Sequence, residues 1–87
     1  MKIEVTAEHI RDGERSQPSL CPVALALRQR FGCDCHVGSH TAVWVEAGGR
    51  FVVDLPESAT KFVNEFDAGL AVEPFGFAIS DTPTFTP

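Results

Sequence analysis

The stretch Thr41-Ala42-Val43-Trp44-Val45-Glu46-Ala47-Gly48-Gly49-Arg50-Phe51-Val52-Val53-Asp54-Leu55 decides the fold. Two runs rich in β-branched and aromatic residues, 41–46 and 51–55, flank Ala47-Gly48-Gly49-Arg50. That arrangement predicts a β-hairpin. If Phe51, Val53 and Leu55 face a core, Val52 and Asp54 face outward. In the first strand, alternation sets Trp44 on the face opposite Val43 and Val45. Trp44 points outward if those valines are core, and an exposed Trp on a sheet is a binding anchor. The opposite assignment packs it under a helix. The sequence leaves both open.

Working outward, residues 33–38 read as a strand that leads into a turn at Gly38-Ser39-His40. Before them lies the clearest helix. Ser19 or Cys21 can cap it, and Pro22 suits its first turn, where its missing N–H has no helical partner to lose. Leu20, Val23, Ala24, Leu27 and Phe31 fall on one face, and Gly32 ends the helix. Residues 2–6 alternate and predict a strand. Thr6 caps a short helix through Asp12, stopped at Gly13. After the hairpin, Pro56 opens a third helix with an apolar stripe of Ala59, Phe62, Val63 and Phe66, closed by Gly69. Phe75, Phe77 and Ile79 alternate through a further strand over 75–80. Pro74 at its start predicts an edge position. The tail, 82–87, holds two prolines and is expected to fray.

The predicted order is β-α-α-β-β-β-α-β. It gives an α+β fold in one domain over 1–87. Four to five mostly antiparallel strands carry two main helices and one short one on one face.

Charge is unevenly spread. Residues 1–50 hold six acids and six bases and sum to zero. Residues 51–87 hold six acids (Asp54, Glu57, Glu65, Asp67, Glu73, Asp81) against Lys61 alone, so they carry the whole net charge of −5. Such asymmetry speaks to partners and solubility. An acidic balance disfavours direct binding to nucleic acid and to anionic membrane surfaces. No apolar run approaches the roughly 18 residues of a membrane span. The alternating start, Met1-Lys2-Ile3-Glu4-Val5, lacks the apolar core of a signal peptide. The expected location is the cytosol of a bacterial host, as a monomer or weak homodimer.

Three cysteines, an odd count, argue against a disulfide framework. Cys33, Cys35, His36 and His40 lie close in sequence, and Cys21 could approach them from its helix start. These are residue types that zinc prefers, but Cys-x-Cys is a poor spacing for a structural site. The simpler reading is two small half-buried cysteines and two surface histidines, with no metal and no cofactor. Cys21 at a helix N-terminus could have a lowered pKa. No acid–histidine arrangement is legible beside it, so capping and packing explain it better than catalysis. The candidate partner-binding residues are Asp54, Glu57, Glu65, Asp67 and Glu73, with Trp44. The competing explanation of the acids is a solvated surface that keeps a small protein soluble.

The runs Val5-Thr6-Ala7-Glu8-His9-Ile10, Cys21-Pro22-Val23-Ala24-Leu25-Ala26-Leu27, Phe66-Asp67-Ala68-Gly69 and Val72-Glu73-Pro74-Phe75 resemble a family of small phage and prophage proteins of unassigned function. The resemblance spans the chain apart from the hairpin and tail. It implies a mobile-element origin and carries over no catalytic residue. In size, charge and lack of an active-site motif the chain is also similar to anti-CRISPR inhibitors.

The expectation is a non-enzymatic protein that inhibits a bacterial defence complex, such as a CRISPR surveillance complex, by occluding a basic nucleic-acid-binding surface. A contiguous acidic face is its mark. The alternatives are a phage accessory or structural protein, with scattered charge, and a thiol or zinc protein, which needs the cysteines to converge.

Overall fold

The hairpin forms as β3 (Thr41–Glu46) and β4 (Gly49–Asp54) in a computed structural model that describes residues 1–87. Glu46 faces Gly49 in the register, so only Ala47 and Gly48 make the turn. Both have positive φ, 52° and 75°. Two left-handed residues make the type I′ turn, whose twist matches that of the flanking strands. Gly48 adopts this conformation freely. Ala47 does so against the clash of its own Cβ.

Trp44 faces inward and is 3% exposed, while Val45 is 67% exposed. The face of β3 left open by the sequence is therefore the one with Ala42 and Trp44 in the core. Helix α2 (Pro22–Phe31) brings Phe31 onto Trp44, with ring centroids 4.3 Å apart. Trp44 stacks on Phe51 at 5.6 Å, and Phe51 meets Phe85 at 4.7 Å. The aromatic row runs from the end of α2 across the sheet to its edge.

Phe85 belongs to a strand that the sequence reading misses. Residues 84–86, expected to fray, pair with β4 in the register Arg50↔Thr86, Phe51↔Phe85 and Val52↔Thr84. With β1 (Lys2–Val5), β2 (Cys35–Val37) and β5 (Phe75–Ala78) placed before it, this strand is β6 (Thr84–Thr86). The strands form two antiparallel sheets rather than one, β2-β3-β4-β6 and β1-β5. A single cluster of buried residues joins them, including Ile3, Val5 and Phe77 from the small sheet and Ala42, Trp44 and Val53 from the large one. The result is a single α+β domain, with short helix α1 (Ala7–Asp12) and main helices α2 and α3 (Glu57–Asp67).

Helix α2 sits at the centre, with Val23, Ala24 and Leu27 fully buried. Cys21 is its N-cap, and its Sγ accepts a hydrogen bond from the Ala24 N–H at 3.4 Å. Leu20 leaves the expected stripe and is 37% exposed. It lies before the cap, in a turn where its N–H donates to the Gln17 carbonyl. In α1, Thr6 caps the helix and His9 returns the bond. The Thr6 N–H donates to His9 Nδ1 at 3.0 Å, so the proton of the neutral ring sits on Nε2, 2.6 Å from Gln29 Oε1. That contact pins α1 to α2.

Helix α3 buries Ala59, Phe62 and Phe66, with Val63 half-buried. It closes in a Schellman motif. The Leu70 N–H reaches the Glu65 carbonyl and the Gly69 N–H reaches that of Phe66, with Gly69 at φ 81°. No helix is long and apolar enough to cross a membrane.

Candidate functional site

Glu57, Lys61 and Glu65 stand four residues apart, so they line one stripe of α3. The Schellman turn at Gly69 reverses the chain and lays residues 71–75 alongside that helix. Between them runs an open groove of about 520 Å³. Glu65 and Glu73 line it from opposite sides, and Lys61 shares the rim. Phe62 and Phe75 also line it, stacked with centroids 4.6 Å apart. Two of the expected partner-binding acids therefore meet in one groove, and Glu57 extends the same side of the molecule.

The other acids are placed differently. Asp67 Oδ1 accepts a hydrogen bond from the Ser16 N–H at 2.9 Å. Ser16 has a φ of 58°, so Asp67 holds a loop in a conformation that most residues avoid. The Arg15 guanidinium lies beside Gly69, 3.7 Å from where a Cβ would stand. The end of α3 is thus tied to the 14–18 loop, and Asp67 serves the fold. Asp54 lies away from the groove. It lines a separate cleft of about 380 Å³ between the end of β4 and the connector before β6. Asp81 pairs with the amino group of Met1 at 2.6 Å. That hydrogen bond, with the attraction of the positive charge, holds its carboxyl below the usual range.

Ion pairs elsewhere are local: Lys2–Glu4, Arg11–Asp12 and Arg28–Asp34. The hydrogen bond from Arg11, with its charge, lowers the Asp12 carboxyl. Asp54, Glu57, Glu65 and Glu73 have no ion-pair partner, and neither does Lys61. With Asp67, whose carboxylate meets only a neutral N–H, these four carboxylates and one ammonium are the charges of the second half without an ion-pair partner.

Trp44 does not belong to the site. It is buried in the aromatic row, and its Nε1–H donates to Glu46 Oε1 at 3.3 Å. Apolar side chains of the large sheet reach solvent at Phe85, on the edge of the Trp44 face, and on the opposite face. Val45 is open and Val43 and Val52 are half-buried, among His36, Arg50 and Thr84. The alternation allows this face once Trp44 is assigned to the core.

Cys33 and Cys35 are neighbours, and Cys21 serves the start of α2. Burial raises the Cys21 pKa, so its cap bond is made by a neutral thiol. Burial, with the neighbouring Cys33, pushes Cys35 up to about 12. Its Sγ–H donates to the Cys33 carbonyl at 3.5 Å. His36 is exposed opposite Val43, and His40 is exposed in the turn before β3. No group of three or more His, Cys, Asp or Glu side chains stands close enough to hold a metal ion. A thiol at a helix start, raised rather than lowered, is a capping and packing group.

Comparison with protein-family models, curated proteins and solved structures finds no match to this chain.

Proposed function

We propose that this protein is a non-enzymatic binder that lays the α3 side against a basic surface of a bacterial protein or ribonucleoprotein. A CRISPR surveillance complex is the target suggested by the likeness in size and charge to anti-CRISPR inhibitors. The observation that supports the reading is the set of unpaired carboxylates on and beside α3 (Glu57, Glu65, Glu73), in a chain whose other acids are largely committed to internal partners. Unpaired surface carboxylates speed encounter with a cationic partner and compete with nucleic-acid phosphates for it. The test adds the protein to purified surveillance complexes and follows their binding to target DNA. Wild-type protein lowers DNA binding, and the Glu65→Lys/Glu73→Lys variant does not. Unchanged DNA binding with wild-type protein across the complexes tested overturns the reading.

A second reading rests on the open face of the large sheet. Val45, Val43 and Val52 give it an apolar strip. A phage accessory or structural protein could dock there, and Val45→Glu would abolish that contact while sparing the acidic one.

A further inference from the structure

No residue on the outer face of the large sheet is buried, whereas the inner face places Cys35, Ala42, Trp44 and Val53 in the core. The strand register sets the outer face out in rows. His36, Val43, Val52 and Thr84 lie side by side in the middle row, across all four strands. Arg50 sits beside Val45 in the row on one side, and Asp54 beside Thr41 in the row on the other.

Arg50 and Asp54 stand four residues apart on β4, which separates them by roughly 13 Å along the strand. Neither has an ion-pair partner within the chain. Val52 lies midway between them. The face is therefore positive at one end, apolar in the middle and negative at the other. That arrangement is its own complement. A two-fold axis along the middle row turns the sheet over and sets β4 antiparallel to its copy. The Arg50 of each copy then faces the Asp54 of the other, and Val43 and Val52 meet their counterparts at the axis. Packed sheets lie roughly 10 Å apart, a gap that an arginine side chain spans. The other face-to-face arrangement, with the axis along the strands, sets Arg50 against Arg50 and Asp54 against Asp54. Like charges disfavour it. Charge thus selects one of the two.

We infer that the outer face of the large sheet joins two copies of this chain into a symmetric dimer, with valines at its centre and an Arg50–Asp54 pair at each end. The face measures roughly 15 Å across the strands and 20 Å along them. It buries a few hundred Å² per copy, below the roughly 800 Å² of a stable interface, so the dimer is weak, with a Kd of roughly 0.1–1 mM. Glu57, Glu65 and Glu73 belong to α3 and the segment after it, not to this face. The dimer leaves them free, and the inference does not depend on the reading of the acidic side.

Sedimentation equilibrium of the full chain, carried to about 2 mM, tests it in 0.15 M salt, where repulsion between the acidic sides is screened over roughly 8 Å. The weight-average mass should climb from 9.4 kDa toward twice that value. Arg50→Asp and Asp54→Arg should each weaken association about tenfold, because the two-fold axis makes every substitution count twice. An equimolar mixture of the two variants should associate at least as tightly as wild type. One copy then offers acids at both positions and the other offers bases. Recovery in the mixture also shows that both variants are folded. A wild-type protein that stays monomeric throughout would overturn the inference. So would a dimer that neither variant weakens, since it would form through another surface. A monomer whose Val45→Glu variant loses a different protein partner would overturn the dimer as well, and would favour the docking of an accessory protein on the same face.

Discussion

The ring of Phe85 lies over Gly49 and takes the space that a Cβ at Gly49 would need. The Thr86 carbonyl closes the same space, 2.8 Å from that Cβ position. A glycine normally weakens a strand, and here an aromatic side chain from the next strand covers it. The contact explains why a tail between two prolines forms a strand.

Phe85→Ala should destabilise the protein by about 1–2 kcal/mol, less than a fully buried phenylalanine because the ring is 42% exposed. Gly49→Ala should cost about 1–3 kcal/mol, since the ring and the Thr86 carbonyl must move. The two changes act on one contact, so the double variant should lose clearly less than the sum. Urea melts of all four proteins give the cycle. Additive losses would show that the two residues do not meet.

Ala47 holds a left-handed conformation in the hairpin turn. Asparagine tolerates that region better and precedes glycine in the commonest type I′ turns. Ala47→Asn should therefore raise stability by about 0.5–1 kcal/mol. A lower urea midpoint would mean that the turn differs from the one described.

Leu27 is fully buried at the centre of α2. Leu27→Ala should cost about 2–5 kcal/mol, the range for emptying a core position that cannot collapse. A loss below about 1 kcal/mol in the same melts would remove α2 from the core.

Thiol chemistry offers a check on burial. Cys21 and Cys35 are buried and their pKa values are raised, Cys35 to about 12. At pH 8 both stay protonated and shielded, and the reactive species is the thiolate. Native protein should release colour from Ellman's reagent rapidly at Cys33 alone, and denatured protein at all three cysteines. Rapid reaction of Cys21 in the native state would contradict its place as the cap of α2.

The elements of this fold were legible where the pattern is local. The hairpin, the three helices and their glycine stops follow from spacing and turn residues. What escaped is what depends on residues far apart. The inward face of Trp44 is set by Phe31 and Phe51, because both faces of β3 are apolar enough to be core. Asp67 sits in an acidic run that suggested partner binding, yet its bond to Ser16 spans 51 positions. Strand β6 was hidden because Pro83 and Pro87 flank it on both sides, although Thr84-Phe85-Thr86 alternates as a strand does. Glu65 and Glu73 were both identified as candidates. Their meeting across a groove was not, because it depends on how the turn at Gly69 lays residues 71–75 against α3.

The most direct test of the central claim is the association rate with a surveillance complex, measured against salt, for two charge-reversed variants. Glu65→Lys/Glu73→Lys alters the groove, and Glu8→Lys/Glu14→Lys alters unpaired acids of the first half. Both change net charge equally, so total charge cannot separate them. Steering acts over roughly 10 Å at 0.1 M salt, which makes it sensitive to where the charges stand. The account predicts that the groove variant loses most of its rate and its salt dependence, while the other stays near wild type. Equal losses in the two variants would contradict it.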